Sequence, residues 1–298
     1  MANRRVLVRR RKSVRNIRKI TRTMQLIATA RFQAAFNRAM ATKPYTEKLA
    51  ELVEDLSRAA GGDVEHPLLA TRPDDKRSAL VVLTSSRGLA GGYNASILRA
   101  AVNHLDEQAA RGVDTRVHMV GKKGVGYFRF LRRPMAEQIT HIEDRPRFEQ
   151  VEPIANALIA SFVAGEIGSA YAAYMRFLSA GQQRPVVVQL LPLARQADAA
   201  APEEAEDRRP ARRVEYEFSP SPRELLDELL PAVVRVRLFQ AFTDAAVSEQ
   251  VARMIAMKAA TEAAGDMIKA LTRQYNRARQ TQITMELLDI VGGANALS

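Results

Sequence analysis

Residues 7–35 read LVRRRKSVRNIRKITRTMQLIATARFQAA. Within this stretch Val14, Ile17, Thr21, Met24, Ala28, Arg31 and Ala35 follow one another in alternating steps of 3 and 4. That spacing is the heptad seam of a coiled coil, which holds one stripe of a helix against a partner helix. Ile20, Ile27 and Ala34 widen the stripe. The predicted helix runs from about Leu7 to Ala60, a span with one proline (Pro44) and no glycine, and Gly61–Gly62 is its expected end.

A partner for that seam stands at the other end of the chain. Ser221-Pro222-Arg223-Glu224 has the form of a capping box with proline at the first helical position. From there to Gly292 the sequence holds one glycine, Gly265, and one further proline, Pro231, where a kink or a restart is expected. Ala260, Ala264, Met267, Leu271, Tyr275 and Ala278 step by 4, 3, 4, 4 and 3, the helical period. Seventy residues of helix span on the order of 100 Å at 1.5 Å per residue, more than a globular domain of this size needs, so the helix should project. The two long helices can bury their stripes only against each other, which predicts an antiparallel pair.

Between them the pattern changes. Ala79–Thr84 (ALVVLT) is a short apolar run of buried-strand type. Asn94 is placed to cap a helix carrying Ile97, Ala101 and Leu105, and Arg116–Val120 reads as the next strand, together a parallel crossover unit. A helix at about Pro153–Ala164 and strands at Ala170–Phe177 and Val186–Leu193 follow, and Ala194–Arg213, rich in Ala, Pro, Glu and Arg, reads as a loop. The fold class expected is α/β with long helices: an antiparallel two-helix coiled coil at 1–60 and 221–298, with a small Rossmann-like α/β domain inserted at 75–218.

The net charge is +12, and its placement matters more than its size. Residues 1–46 hold 13 Lys or Arg and no acid, whereas the remainder holds 32 basic against 33 acidic residues. A basic block of this kind serves a solvated arm, nucleic acid, anionic lipid or an acidic protein partner. The absence of cysteine excludes disulfides, thiolate metal sites and cysteine nucleophiles. His66, His104, His118 and His141 are scattered without a metal-ligand spacing and read as surface or loop histidines. No apolar run reaches the roughly 18 residues of a membrane span, and the arginine-rich start lacks the apolar stretch of a secretory signal. A soluble protein of a reducing compartment is expected.

Catalytic motifs are missing. Nothing matches the phosphate-binding loop GxxxxGK[ST], and Gly121-Lys122-Lys123-Gly124-Val125-Gly126 has the wrong spacing for a dinucleotide fingerprint and reads as a turn. Ser85-Ser86-Arg87-Gly88 stands at the carboxyl end of a strand, where α/β ligand sites occur, but lacks a nucleophile elbow and a histidine or acid to serve it. Glu203–Glu204 falls in the expected loop. No catalytic, cofactor or metal site is expected.

Residues Lys12 to Met24 (KSVRNIRKITRTM) closely resemble the opening of ATP synthase γ subunits. Pro44-Tyr45 and Thr84–Asn94 (TSSRGLAGGYN) continue the resemblance in order. Ser248–Met254 (SEQVARM), Met257–Thr261 (MKAAT), Tyr275–Gln280 (YNRARQ), Ile283-Thr284 and Ile290–Ala294 (IVGGA) complete it. The resemblance implies a rotor: a coiled coil inside a hexamer of catalytic and non-catalytic nucleotide-binding subunits (β and α), with the α/β domain against the small ε subunit and the membrane ring of c subunits. It implies a non-catalytic chain, peripheral to the cytoplasmic side of a bacterial cell membrane, with no nucleic acid and no direct insertion into lipid. The partner-contact residues it implies are Arg9, Arg10, Arg15, Lys19, Met24, Arg253, Gln280, Met285, Leu288, Ile290 and Leu297. An acid-free basic helix suits the acidic lever loops of the catalytic subunits, and an alanine-rich helix offers them few deep knobs to stall against. Ser86, Ala90, Met285, Leu288 and Arg11 depart from the family's usual residues, and the missing cysteines exclude thiol regulation of the chloroplast type. Two other readings fit parts of the chain: a nucleic-acid-binding coiled coil, from the basic block, and an α/β enzyme with helical arms, which lacks a catalytic constellation.

Overall fold

A computed structural model describes residues 4–59, 66–72, 75–193 and 221–296. The chain order is α1 (Arg4–Ala59), a one-turn 3-10 helix (Pro67–Leu69), β1 (Arg77–Leu83), α2 (Tyr93–Ala110), β2 (Asp114–Val120), α3 (Lys122–Phe130), β3 (Glu137–Ile139), α4 (Phe148–Val163), β4 (Ser169–Ser179), β5 (Gln182–Leu191) and α5 (Pro222–Ala296). Two compact units arise: Met1–Arg31, Leu89–Gly91 and Val251–Ser298 form one, and Phe32–Gly88 with Gly92–Gln250 the other. The long terminal helices and central mixed sheet match the expected fold class. Gly61–Gly62, the 194–213 segment with Glu203–Glu204, and Leu297 lie outside the described residues.

The first unit is an antiparallel pair made from the start of α1 and the end of α5. The hydroxyls of Thr21 and Thr261 lie 2.8 Å apart, and the Arg11 guanidinium sits 5.0 Å from the centre of the Tyr275 ring. Arg18 runs alongside Gly265, its Nε 3.8 Å from where a Cβ would stand, an ordinary contact distance. Leu7, Ala28, Ala264 and Leu271 are buried along the seam. The heptad reading holds at Val14, Thr21, Met24, Ala28, Arg31 and Ala35, which are buried or half-buried, and fails at Ile17 and at the flanking Ile20 and Ile27. Ile17, Ile20 and Ile27 are 49%, 58% and 48% exposed, and Met267 is exposed where Ile268 is half-buried. Arg11 and Arg18 join Thr21 along the seam because long or small polar side chains can lie along a partner helix, so apolar spacing alone did not find the two arginines.

The second unit is built on a five-stranded sheet of order β3-β2-β1-β4-β5. β1 pairs in parallel with both β2 and β4, β2 in parallel with β3, and β4 with β5 as an antiparallel hairpin. Residues 78–83 of β1 are buried, as expected of a central parallel strand covered on both faces. One core joins β1, α4 and β4 to Leu49 and Leu56 of α1 and to Leu226, Leu230, Val234 and Leu238 of α5. The Tyr93 hydroxyl donates to Ala245 O at 3.0 Å, and Phe32 and Phe36 pack on Phe177 of β4.

Helix α5 begins as its cap predicts: Pro222 is its first residue, and the Ser221 hydroxyl accepts from Glu224 N at 3.4 Å. It continues through Pro231 without restarting. Asn94 is not the cap of α2, because Gly92 holds that position. Its carboxamide instead accepts from Ser85 N at 2.9 Å and donates to the Ser85 hydroxyl at 2.8 Å, bracing the turn after β1.

The reading of the histidines as surface or loop residues holds for His66, in a loop, and His141, exposed, and fails for His104 and His118, half-buried on α2 and β2. His66 caps the 3-10 helix, accepting from Leu68 N, and lies 3.5 Å from Asp227. His104 packs edge-on against Tyr171 with a ring separation of 4.6 Å. Burial lowers the pKa of both below the usual histidine value.

Candidate functional surface

The glycine-rich segment 121–126 is not a turn but the start of α3, and its geometry accounts for its residues. Gly121 sits at the helix N-cap with φ +91°, and a Cβ there would lie 2.1 Å from Thr84 O. A Cβ on Gly124 would lie 2.3 Å from Met119 Sδ. Both glycines therefore permit close packing of α3 on the end of β1. Gly124 N donates to Thr84 Oγ1 at 2.9 Å and Lys123 N donates to Ser85 O at 3.1 Å. An anion at a helix N-terminus binds to first-turn amides of this kind, and here the protein itself occupies them. The segment holds a phosphate-like outline but no phosphate site.

The neighbouring Ser85–Gly88 turn is likewise engaged inward. The Ser85 hydroxyl donates to Arg87 O at 2.6 Å, and Arg87 reaches Glu143 at 3.3 Å and Asp144 at 3.5 Å. No base stands beside either serine in these contacts. Among the described residues no cluster of His, Asp and Glu could hold a metal ion, and no helix is long and apolar enough to cross a membrane.

The expected contact residues gather in the two-helix unit. Arg9, Arg10, Arg15 and Lys19 are exposed along α1, and Met24 is half-buried. On α5, Gln280, Met285, Leu288 and Ile290 are exposed, Ile290 at 72%. Arg253 differs: at 6% exposure it is buried within the chain. Every described residue from Arg279 to Gly292 is exposed, past the last buried seam residue, Leu271. Arg4, Arg5 and Leu7 face Arg277, Thr281, Met285, Glu286 and Asp289 across an open groove of about 1140 Å³. Arginines border one side of it and both signs of charge the other.

Sequence reasoning missed part of this surface. Ile17, Ile20 and Ile27 form an exposed line on α1, and Ile283, Leu287 and Val291 join Met285, Leu288 and Ile290 on α5. The available signal was the broadening of the stripe: from residue 283 onward Ile283, Met285, Leu287, Leu288, Ile290 and Val291 spread over more than half of the helix circumference, with Glu286 and Asp289 on the remainder. A stripe that wide exceeds what one partner helix covers.

A family model described as ATP synthase matches residues 3–297. The ATP synthase gamma chain of Rhodopirellula baltica is 47% identical over 297 residues, covering 100% of this chain and 99% of the relative. That of Frankia casuarinae is 42% identical, covering 97% and 96%. Among solved structures, the Euglena gracilis mitochondrial ATP synthase rotor aligns at TM-score 0.61 and 15% identity, over 94% of this chain and 98% of that one. The central stalk and c-ring structure of the Tetrahymena thermophila mitochondrial enzyme gives 0.58 at 20% identity, over 81% and 99%. At such identities these structures speak for the fold.

Proposed function

The chain belongs to the ATP synthase γ family, and from that premise we propose that it is the rotor shaft of such a complex and carries no catalytic residue itself. The observation that carries this reading is the two-helix unit: an exposed basic face on α1 beside an α5 end exposed on every side. The exposed apolar residues of these helices exceed what a helix pair in water presents without a partner. A hexamer of α and β subunits is the partner we assign to it. Lys19, Arg9, Arg10 and Arg15 serve the acidic lever loops of the catalytic subunits. Gln280 donates hydrogen bonds to them, and Arg253 supports that contact from within the chain. Met24, Met285, Leu288, Ile290 and Leu297 form the apolar bearing. The ε subunit and the ring of c subunits take the α/β region. We divide the chain functionally into 1–60, 75–218 and 221–298, and place it on the cytoplasmic face of a bacterial membrane.

The test is reconstitution with the hexamer. Deleting Gly293–Ser298 removes apolar contact and no charged side chain, so assembly weakens modestly and ATP turnover largely survives. Reversing three charges with Arg9→Glu, Arg10→Glu and Arg15→Glu sets like charges against the acidic loops and uncouples the complex more severely. If the deletion abolished turnover in a fully assembled complex while the reversal did not, the roles assigned to the two regions would be exchanged.

A further inference from the structure

Helix α3 ends in a feature that neither the core nor the shaft reading uses. Residues 121–136 contain five basic residues (Lys122, Lys123, Arg129, Arg132 and Arg133) and no acid. Tyr127, Phe130 and Leu131, at spacing i, i+3 and i+4, lie on adjacent turns and all stand exposed, Phe130 at 81%. Phe128, between them, is fully buried and anchors the helix. Arg129 donates to Gln138 at 2.7 Å and Arg133 to Asp106 at 2.7 Å, which fixes two of the guanidinium groups beside the aromatic rings. Arg132 has φ +54°, which turns the chain immediately after the helix.

We propose that this end of α3 makes a headgroup-level contact with an anionic lipid surface. The charge is complementary in balance: five basic residues outnumber the two acids beside them, Asp106 paired with Arg133 and Glu137 beside His118. A net positive surface favours a negative one, with each Lys or Arg near it strengthening partition several-fold. The apolar part is a small aromatic and leucine tip that enters the headgroup boundary without spanning it. A protein partner is the less suitable occupant. Stable protein interfaces cover about 800 Å² and roughly 20–30 residues on each side, whereas this tip offers three apolar side chains among predominantly basic neighbours. The inference goes beyond the shaft reading and does not depend on it, because it concerns the full chain and lipid alone.

The chain contains no tryptophan, so Phe130→Trp installs a single reporter at an exposed position where the fold tolerates it. The purified full-length Phe130→Trp variant is mixed with vesicles of phosphatidylcholine alone or with phosphatidylglycerol added. The expected result is a blue shift and quenching by brominated acyl chains with the anionic vesicles only. Adding Arg132→Gln should lower partition about five-fold. The basic start of α1 also attracts anionic vesicles, so sedimentation with them while the indole emission stays unshifted would overturn the proposal. So would an emission shift produced by the assembled hexamer and ring in detergent but not by vesicles, which would assign the patch to protein.

Discussion

At the scale of single residues, the strongest constraints lie where α3 starts. Gly121 combines φ +91° with a backbone oxygen 2.1 Å from where a Cβ would stand. Gly121→Ala should therefore destabilise the α/β unit by roughly 3 kcal/mol or more, read as a fall in the urea midpoint. Gly126, in the same helix, has nothing within 4 Å. Gly126→Ala should stabilise by about 0.5–1 kcal/mol in the same assay. Equal effects at the two positions would refute the packing account. The half-buried His66 and His104 predict a pH dependence of known sign. His66 and His104 are harder to protonate in the folded chain than in the unfolded one, chiefly because of burial. Stability is then full above about pH 6.5 and falls as pH drops below it, since the unfolded state takes up protons first. Thermal midpoints between about pH 7.5 and 5.5 should decline, and less so in His104→Gln; a flat profile over that window would contradict the assignment. None of this was legible in the sequence. Asn94 was read as a helix cap because Asn before an apolar period is a capping signal, yet its carboxamide is bound to Ser85, nine residues away. Local spacing shows what a residue can do nearby but not which distant backbone group it meets.

At the scale of elements, both long helices and their antiparallel pairing could be read in advance, because period and length are local properties. Phase was the weaker inference. The heptad positions Val14, Thr21, Met24 and Ala28 do lie in the seam, joined by Arg11 and Arg18, while the isoleucines at 17, 20 and 27 are exposed. An apolar stripe marks a surface to be buried without saying by what, and here the chain itself leaves those isoleucines exposed. The corrected phase is testable. Leu271→Ala should cost the two-helix unit about 2–3 kcal/mol, whereas Ile17→Ala should cost at most about 0.5 kcal/mol in the isolated chain. Circular dichroism during urea titration separates them, and a larger loss at Ile17 would restore the heptad first read from the sequence. The cap of α5 offers a smaller effect. Ser221→Ala should cost about 1 kcal/mol, and Ser221→Asp should retain most of that stability.

At the scale of the whole molecule, the family resemblance was legible because its motifs fall in order from Lys12 to Ala294, and the alignments extend over nearly the full chain. The proposed contact surface was legible only in part. Its basic half could be counted from composition, and the resemblance implied Met24, Met285, Leu288, Ile290 and Leu297, but the exposed Ile17, Ile20 and Ile27 depended on learning which stripe the chain buries itself. On the rotor reading, this chain turns within a catalytic hexamer and transmits force to it. The absence of cysteine allows one label: Asn103→Cys, on the exposed face of α2, can carry a bead or a fluorophore without competing thiols. With the hexamer fixed to a surface and ATP supplied, the labelled chain should rotate in one direction, and rotation should stop when ATP is exhausted. Sustained ATP hydrolysis by the assembled complex while the label stays stationary would contradict the account.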